Sequence, residues 1–484
     1  MSSSNPAGEC PSTDESRAVG QQTNQAFDQI ASNAHINQAN IDIVPTHSLP
    51  VELLTHIFSL SLPPLDHHCL FGETFPPRKG GHDPHIPSHL RTPEVLLEVC
   101  KYWRAVAINT PSLWTRVLIE DPECPQELRR AAMHFKYSAD LPLLLHICNI
   151  RPNDLGHRLK PRTALLRLMV PHARRWRELV FSDHVFSIDD LQCFPPASLT
   201  ALTTASTYTE DPTVNAHFYL WATSSPRLQR VMLHCSLDCI PEHLMEPGAW
   251  QGMRDLSLRM LEVMTDEVLD MLQACPRLEM LHVATVAVNS SIRDDDDLPF
   301  VECSELRTLL LLSEDEAIPS LFRHISAPQL LHLAIDDIVG TDEDAHQRRI
   351  WSPVTEMLTR SGARLRRFFY SGSETQLMRM IPLDCLQALE ELTAFTEMAR
   401  SPFMDLLIID DEKRFLPLLK DLTLCTYQSS DAEGKLGQMI LSRRGVLQVL
   451  ELHSFPRPYN ALDMMVVEEA RERGLFVYFG SPAE

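Results

Sequence analysis

The chain has 484 residues, of which 44% are hydrophobic and 7% aromatic. This length exceeds one ordinary globular core, so we expect several folded units or one elongated solenoid. The net charge of −22 argues against non-specific binding to nucleic acid or to an anionic membrane surface. No apolar run approaches the ~18–20 residues that a membrane-spanning helix needs.

The cysteine pattern indicates a reducing compartment. Twelve cysteines are scattered along the chain, and they form no Cys-x-x-Cys framework of the kind that disulfide scaffolds and structural zinc sites use. The N-terminal Met-Ser-Ser-Ser-Asn-Pro has neither a basic region nor an apolar region, which argues against secretion. We therefore expect a cytoplasmic or nuclear location, and the sequence does not choose between the two.

Residues 1–45 are predicted to be a disordered tail. They are rich in Ser, Asn, Gln, Thr and Ala and have almost no apolar clustering. Such a segment cannot bury enough surface to offset the entropy of ordering.

Residues 46–119 predict a small helical module. Pro50 and Glu52 suit a first helical turn. Helical spacing places five apolar residues on one stripe: Leu49, Leu53, Leu54, Ile57 and Phe58. A second segment repeats the arrangement, with a candidate cap at Thr92. Its apolar face comprises Val95, Leu96, Val99, Cys100, Trp103, Val106 and Ala107.

These segments resemble an F-box, the module that docks a substrate receptor onto the Skp-family adaptor of a cullin–RING ubiquitin ligase. The motifs are Leu-Pro-x-Glu-Leu-Leu-x-x-Ile-Phe from Leu49, Val99-Cys-x-x-Trp-Arg and Pro111-x-Leu-Trp114. The resemblance extends to the large F-box families of mushroom-forming fungi, whose modules carry similar insertions. It implies an adaptor interface formed by Leu49, Pro50, Leu53, Leu54, Ile57, Val99, Cys100 and Trp103.

The module departs from the family pattern at a Pro- and His-rich insertion, residues 61–91. Its two halves must close around this loop. The alternative interpretation of residues 46–119 is an ordinary pair of buried helices that opens a larger domain.

Residues 120–175 are predicted to connect the module to a repeat region and to cap it. Glu127 to Tyr137 has helical character, and Leu141 to Ile147 is an apolar run of strand length. This run is either a degenerate first repeat or part of the cap.

Residues 176–484 repeat the pattern Leu-x-x-Leu-x-Leu with apolar substitutes. Successive units start 23 to 35 residues apart, within the range of irregular leucine-rich repeats. The units start at Trp176, Leu199, Leu228, Met253, Leu278, Leu306, Leu330, Leu365, Leu389, Leu419 and Leu447. The pattern predicts an α/β leucine-rich-repeat solenoid with a parallel sheet on its concave face and helices outside. The alternative is a set of coincidental leucine triplets in another α/β domain.

Strand alternation predicts which side chains face the concave side: the third, fifth and seventh of each unit. Most are polar or small, but Leu310, Leu312, Phe369 and Phe395 are large and apolar, which suggests a protein-contact patch. The candidate substrate-binding residues are Met232, His234, Arg259, His282, Leu310, Leu312, Asp336, Arg367, Phe369 and Phe395. A shifted strand phase or a covering insertion would explain the apolar residues equally well.

Charge is concentrated in residues 294–344, which contain fourteen Asp or Glu and two Arg. Runs such as Asp294 to Asp297 and Glu314 to Glu316 flank strands, so their fields would add along one edge. One hypothesis is that a basic segment of a partner docks there. The commoner alternative is a solvated acidic rim.

The sequence indicates no catalytic or cofactor site. It contains no nucleophile elbow, phosphate loop or dinucleotide fingerprint. The insertion contains His67, His68, Cys69, His82, His85 and His89, yet their spacing matches no established zinc pattern. Hydrolysis by histidines on the concave strands is a remote alternative.

The resemblance therefore implies a non-enzymatic substrate-recognition subunit of an SCF-type ubiquitin ligase. It would bind the Skp-family adaptor, and through it a cullin, and would hold a protein substrate on the repeat surface. The main alternative is a leucine-rich-repeat scaffold that sequesters its partner without ubiquitin transfer.

Overall fold

The structure is a computed structural model that describes nineteen stretches of the chain. They are residues 49–61, 93–122, 124–147, 163–182, 188–192, 199–208, 211–233, 246, 250–258, 263–283, 286–287, 298–313, 317–337, 344–372, 374–399, 401–410, 414–427, 434–453 and 461–480. The predicted tail 1–45 lies outside the described residues, as does the insertion except for its first residue.

Three short helices form the first unit. They are α1 (Val51–Ser61), α2 (Glu94–Val99) and α3 (Lys101–Ile108), and a 3₁₀ turn, Pro111–Trp114, follows them. Cys100 separates α2 from α3 because its φ of −161° is extended. Its Sγ accepts the backbone N–H of Trp103 at 3.4 Å and so caps α3. The second predicted apolar stripe therefore spans two helices.

Fourteen strands then build one parallel sheet, in the order β1-β2-β3-β4-β5-β6-β8-β11-β13-β14-β15-β16-β17-β18. The short strands form two parallel pairs, β7 with β9 and β10 with β12. The strands of the described residues are β1 (Arg116–Ile119), β2 (Leu143–Ile147), β3 (Trp176–Ser182), β4 (Thr204–Tyr208), β5 (Arg230–Leu233), β6 (Asp255–Leu258), β7 (Val263–Met264), β8 (Met280–Val283), β9 (Val286–Ala287), β10 (Val301–Glu302), β11 (Thr308–Ser313), β12 (Ile325–Ser326), β13 (His332–Asp337), β14 (Arg367–Gly372), β15 (Glu391–Ala399), β16 (Asp421–Tyr427), β17 (Val449–His453) and β18 (Phe476–Gly480).

Helices connect most strands of the sheet and cover one of its faces. They are α4 (Pro125–Tyr137), α5 (Thr163–Met169), α6 (Ile188–Gln192), α7 (Pro212–Ala222), α8 (Thr265–Ala274), α9 (Ala317–His324), α10 (Asp344–Ser361), α11 (Glu374–Met380), α12 (Ser401–Leu407), α13 (Lys435–Ser442) and α14 (Ala461–Glu472), with 3₁₀ turns at Val170–Arg175 and Asp384–Leu386. The chain is therefore α/β with a large parallel sheet, and its serial strand order is consistent with an α/β solenoid.

The repeated leucines build the core between the sheet and the helices. In β11, for example, Leu309 and Leu311 are fully buried, and they belong to one continuous apolar cluster that runs from Val117 to Val477. Neither a strand nor a helix of one unit could bury its apolar side alone, so stacking of the units creates this core. The opposite face of the sheet carries the alternate side chains, and we call it the helix-free face.

Two details of the predicted repeats were wrong or incomplete. The unit placed at Leu199 starts at Leu202, because Ala205 and Thr207 of β4 occupy the buried positions in register with Leu179 and Phe181. The leucine pattern did not identify this start, because small and polar residues replace leucine in the core positions of the unit. The sheet also has a last strand, β18, that the leucine pattern did not mark. The apolar run from Leu141 to Ile147 is largely strand β2.

No helix in the described part of the chain is long and apolar enough to cross a membrane.

Candidate docking surfaces

The helical unit has an exposed apolar stripe. Six of its large apolar side chains are between 40% and 73% exposed, which is unusual for a packed module. We call them the helical stripe: Val51, Leu53, Ile57, Leu60, Val95 and Val99. It comprises four residues of α1 and two of α2, so both halves of the module contribute exposed apolar side chains.

A separate small core holds this stripe in place. Leu54, Phe58, Leu96, Val106, Ala107, Leu113 and Trp114 form it. The indole Nε1–H of Trp114 donates to the Ala107 carbonyl at 2.8 Å, and the Tyr102 hydroxyl donates to the Leu49 carbonyl at 3.0 Å. The ring centroids of Phe58 and Trp103 lie 4.9 Å apart. These contacts bring the segments on either side of the insertion together.

The residues implied to bind the adaptor fall into three groups. Leu53, Ile57, Val99 and Pro50 are exposed, whereas Leu49, Cys100 and Trp103 are half-buried. Leu54 is fully buried, because its side chain is turned by about 100° around the helix from that of Leu53 and packs in the small core. The structure therefore places Leu54 beneath the surface and not on it. Val51, Leu60 and Val95 join the stripe, although the motif did not point to them.

The helical unit is joined to the sheet through α4. The ring of Trp114 lies 5.2 Å from His134 and 4.9 Å from Tyr137, measured between centroids. Glu94 Oε1 at the start of α2 lies 3.2 Å from His134 Nε2 and 3.7 Å from Arg130 Nε. Apolar and polar contacts thus tie the stripe to the first strand–helix unit of the sheet.

The helix-free face changes character along the sheet. Residues in equivalent register form one row across its strands, from Leu118 of β1 to Tyr478 of β18. From β2 to β8 this row is buried: His146, Val180, Ser206, Met232, Ser257 and His282 are each at most 6% exposed. From β15 onward its members are accessible to solvent, namely Thr393, Thr423, Glu451 and Tyr478.

The closed half of the helix-free face, strands β2 to β8, contains a buried polar pair. His146 Nε2 lies 2.5 Å from Glu178 Oε1, and both side chains are almost completely buried. Met232 packs with Val180 on the same face, and Ser257 Oγ lies 3.4 Å from His282 Nδ1. Burial of these groups removes the central row of β2 to β8 as a contact for a macromolecular partner, whereas Arg230, Asp255 and Met280 at the start of β5, β6 and β8 stay accessible.

The open half of the helix-free face, strands β14 to β17, contains an aromatic pair and carboxylates. The rings of Phe369 and Phe395 lie 5.3 Å apart between centroids. Phe369 is only 8% exposed, so Phe395, which is half-buried, is the accessible member. Beyond them, β15, β16 and β17 present Glu391, Asp421 and Glu451.

The predicted substrate-binding residues are thus divided between the two halves. Met232 and His282 lie in the closed half. Arg367, Phe369 and Phe395 lie in the open half, and Leu310 of β11 lies between the two halves. His234 and Arg259 lie outside the described residues. Leu312 and Asp336 belong to strands β11 and β13, but their side chains are not described. Most of the predicted acidic edge, including Asp294 to Asp297, also lies outside the described residues.

Ion pairs neutralise some carboxylates of the open half and leave others. Arg367 lies 2.9 Å from Glu391, and Lys420 lies 2.7 Å from Glu390. Among the described residues, the Asp421 side chain has no ion pair, and Glu451 has only His453 at 3.8 Å. Burial raises the pKa of the Asp421 carboxyl, which Arg367 and Lys420 oppose and Glu451 reinforces. Burial likewise raises the pKa of Glu391.

Sequence reasoning missed Asp421 and Thr423 as surface residues. The signal was available, since both occupy the outward positions of the triplet Leu419, Leu422 and Leu424. The burial of the central row from β2 to β8 could not be predicted from the sequence. Strand alternation predicts which way a side chain points, but not whether other residues cover it.

Three cysteines of the described residues are buried, and no metal-binding cluster is found in the same part of the chain. Burial raises the pKa of Cys275 and Cys303 to about 12 and that of Cys385 to about 11, so these thiols stay protonated and unreactive at neutral pH. The described residues contain no group of three or more His, Cys, Asp or Glu side chains that could hold a metal ion. The histidines of the insertion lie outside this range.

No protein-family model matches the chain, and no curated protein matches it significantly.

Proposed function

We propose that the chain is a non-catalytic substrate receptor of an SCF-type cullin–RING ubiquitin ligase. In this proposal, residues 46–119 are an F-box that docks the Skp-family adaptor, and the large sheet is a leucine-rich-repeat solenoid that holds the target protein. The receptor would act by proximity, presenting its target to a ubiquitin-conjugating enzyme in the cytoplasm or nucleus.

The helical stripe is the observation that carries the proposal. An exposed apolar surface of this kind on a well-packed unit is typical of a protein interface. Fully burying a Leu, Ile or Val side chain contributes about 1.5–3 kcal/mol, and Leu53, Ile57 and Val99, each about half exposed, would each contribute roughly half of that to a complex. The stripe includes three of the residues that the F-box resemblance assigns to the adaptor, Leu53, Ile57 and Val99, and Pro50 is exposed beside them.

The junction supports a receptor function. A receptor must fix the distance between its target and the ligase, which a flexible joint would not do. The contacts of Trp114 and Glu94 with α4 couple the docking unit to the sheet directly.

Co-purification with a recombinant Skp-family adaptor tests the proposal. We expect the full chain to bind the adaptor and the double variant Leu53→Asp, Ile57→Asp to lose it, because two charges would be buried against an apolar partner. The matched control is Leu462→Asp, Met465→Asp, which changes two apolar residues of α14 that are more exposed than Leu53 and Ile57 and lie at the far end of the sheet.

The control variant should bind the adaptor as the unmodified chain does. If the unmodified chain does not bind, the ligase function fails, and a repeat scaffold that sequesters its partner becomes the better account. If the stripe variant binds normally, the interface lies elsewhere.

A further inference from the structure

We propose that the open half of the helix-free face, on strands β14 to β17, binds an extended segment that carries a Lys or Arg near an apolar side chain. This inference rests on the proposed function, since it takes the sheet as the receptor's substrate-binding face. It specifies the place on the sheet and the chemistry of the target.

The place follows from coverage. Across β2 to β8 the central row is closed by burial, whereas Thr393, Thr423 and Glu451 are accessible. Along this central row, a partner that lies on the sheet therefore finds accessible side chains on β15 to β17 and not on β2 to β8. Among the predicted substrate contacts, Phe395 and Arg367 meet this condition best.

A single row of four residues gives the site its polarity. Phe369, Thr393, Thr423 and Glu451 stand in register on four adjacent strands. The row runs from an aromatic end, where Phe395 stacks beside Phe369, across two hydroxyls to a carboxylate. With strands about 4.8 Å apart, its two ends are about 14 Å apart.

The charge of the occupant follows from the ion pairs. Arg367 and Lys420 already neutralise Glu391 and Glu390. Asp421 and Glu451 have no Arg or Lys within ion-pair distance among the described residues, although Arg367 and Lys420 act on Asp421 from farther away and Glu451 repels it. A cation from the partner would complete this set, because it supplies the missing positive charge where solvent is partly excluded.

The spacing follows from the row. An extended chain advances about 3.3–3.6 Å per residue, so a span of about 14 Å is about four residues. We therefore expect the basic and the apolar side chain of the target to be about four residues apart. The threonine hydroxyls between them can bond to the backbone of such a segment.

Selection of peptides tests this inference without a known target. A phage-displayed library of random peptides is panned on the immobilised full chain. We expect enrichment of peptides that place Lys or Arg about four residues from an apolar residue, and loss of this enrichment on the double variant Asp421→Asn, Glu451→Gln. The matched control, Glu468→Gln, removes a carboxylate from the exposed side of α14 and should leave the enrichment unchanged.

A further variant separates the two ends of the site. Phe395→Ser should keep the preference for a basic residue and lose the preference for an apolar one. Thermal unfolding of each variant verifies that it is folded. No enrichment, enrichment of peptides without basic residues, or equal enrichment on the double variant would overturn the inference.

Adaptor binding by the same variants distinguishes this inference from the proposed function. Asp421 and Glu451 lie far along the sheet from the helical stripe, so adaptor co-purification should be unaffected. Peptide selection without adaptor binding would reject the ligase function and keep the site. Adaptor binding without peptide selection would keep the ligase function and reject the site.

Discussion

At the scale of single residues, the chain holds a carboxylate in an environment that does not favour its charge. Asp421 lies on an open sheet face without an ion pair among the described residues, and burial raises its pKa above the value in the unfolded chain. Groups of this kind concentrate at binding sites, because a partner can supply what the fold does not.

Replacing Asp421 by Asn should stabilise the folded chain at neutral pH. A carboxyl whose pKa is raised by folding lowers the free energy of unfolding as pH rises through the interval between its unfolded and folded pKa values. The variant should therefore match the unmodified chain at a pH below about 3.9, the unfolded value, and exceed it at pH 7. Denaturant unfolding at several pH values measures this difference.

The matched variant for this experiment is Glu468→Gln, whose carboxylate pairs with Arg471 on α14. It should show no such gain with rising pH. A loss of stability in Asp421→Asn at pH 7 would show that the carboxylate serves the fold, and the binding site proposed around it would lose its main support.

At the scale of elements, the last units depend on a buried guanidinium. Arg443 follows α13 and is 1% exposed. Its Nε donates to the Leu407 carbonyl at the end of α12 at 2.7 Å, and its two terminal nitrogens donate to the carbonyls of Leu416 and Phe415 at 2.6 and 2.9 Å. Burial lowers its pKa to about 10, so it stays charged at neutral pH.

These bonds also hold a turn that the backbone does not favour. Leu416 has a φ of 50°, in the left-handed region that costs a residue with a side chain about 1 kcal/mol or more. Its N–H donates to Gln387 Oε1 at 3.1 Å while its carbonyl accepts from Arg443. One side chain therefore joins α12, this turn and α13.

Arg443→Lys should destabilise the chain by about 2–4 kcal/mol, because an ammonium group cannot reach all three carbonyls and leaves buried acceptors unpaired. Thermal or denaturant unfolding measures the loss. The neighbouring Arg444→Lys is the matched control, since Arg444 is exposed. Equal stability of the two variants would contradict the role assigned to Arg443.

At the scale of the whole molecule, the leucine pattern predicted most of the sheet. Triplets such as Leu306, Leu309 and Leu311 are buried as expected, because a strand of this type has one apolar side. The pattern failed where it lacked leucines: β4 buries Ala205 and Thr207, and β18 has no triplet. Sequence periodicity identifies the core side of a strand, but it does not show what covers the other side, so the closure of half the sheet remained hidden.

The helical unit shows the same limit. Its motif predicted the apolar residues, yet Leu54 and Leu53 are adjacent in sequence and only one of them reaches the surface. Helical phase relative to the small core decides between them. The sequence also could not show that Val99 of α2 and Ile57 of α1 are both exposed, because that depends on how two segments separated by the insertion pack on one small core.

Calorimetry can measure the affinity of the full chain for a purified Skp-family adaptor, for the unmodified protein and for Val99→Asp. This measurement decides whether the helical unit docks the adaptor. Val99 is 52% exposed and lies beyond the insertion, so this variant asks whether both halves of the unit form one docking surface. We expect the unmodified chain to bind and Val99→Asp to bind at least about tenfold more weakly, which corresponds to 1.4 kcal/mol or more. An unmodified chain that does not bind, or a Val99→Asp variant that binds equally well, would contradict the account.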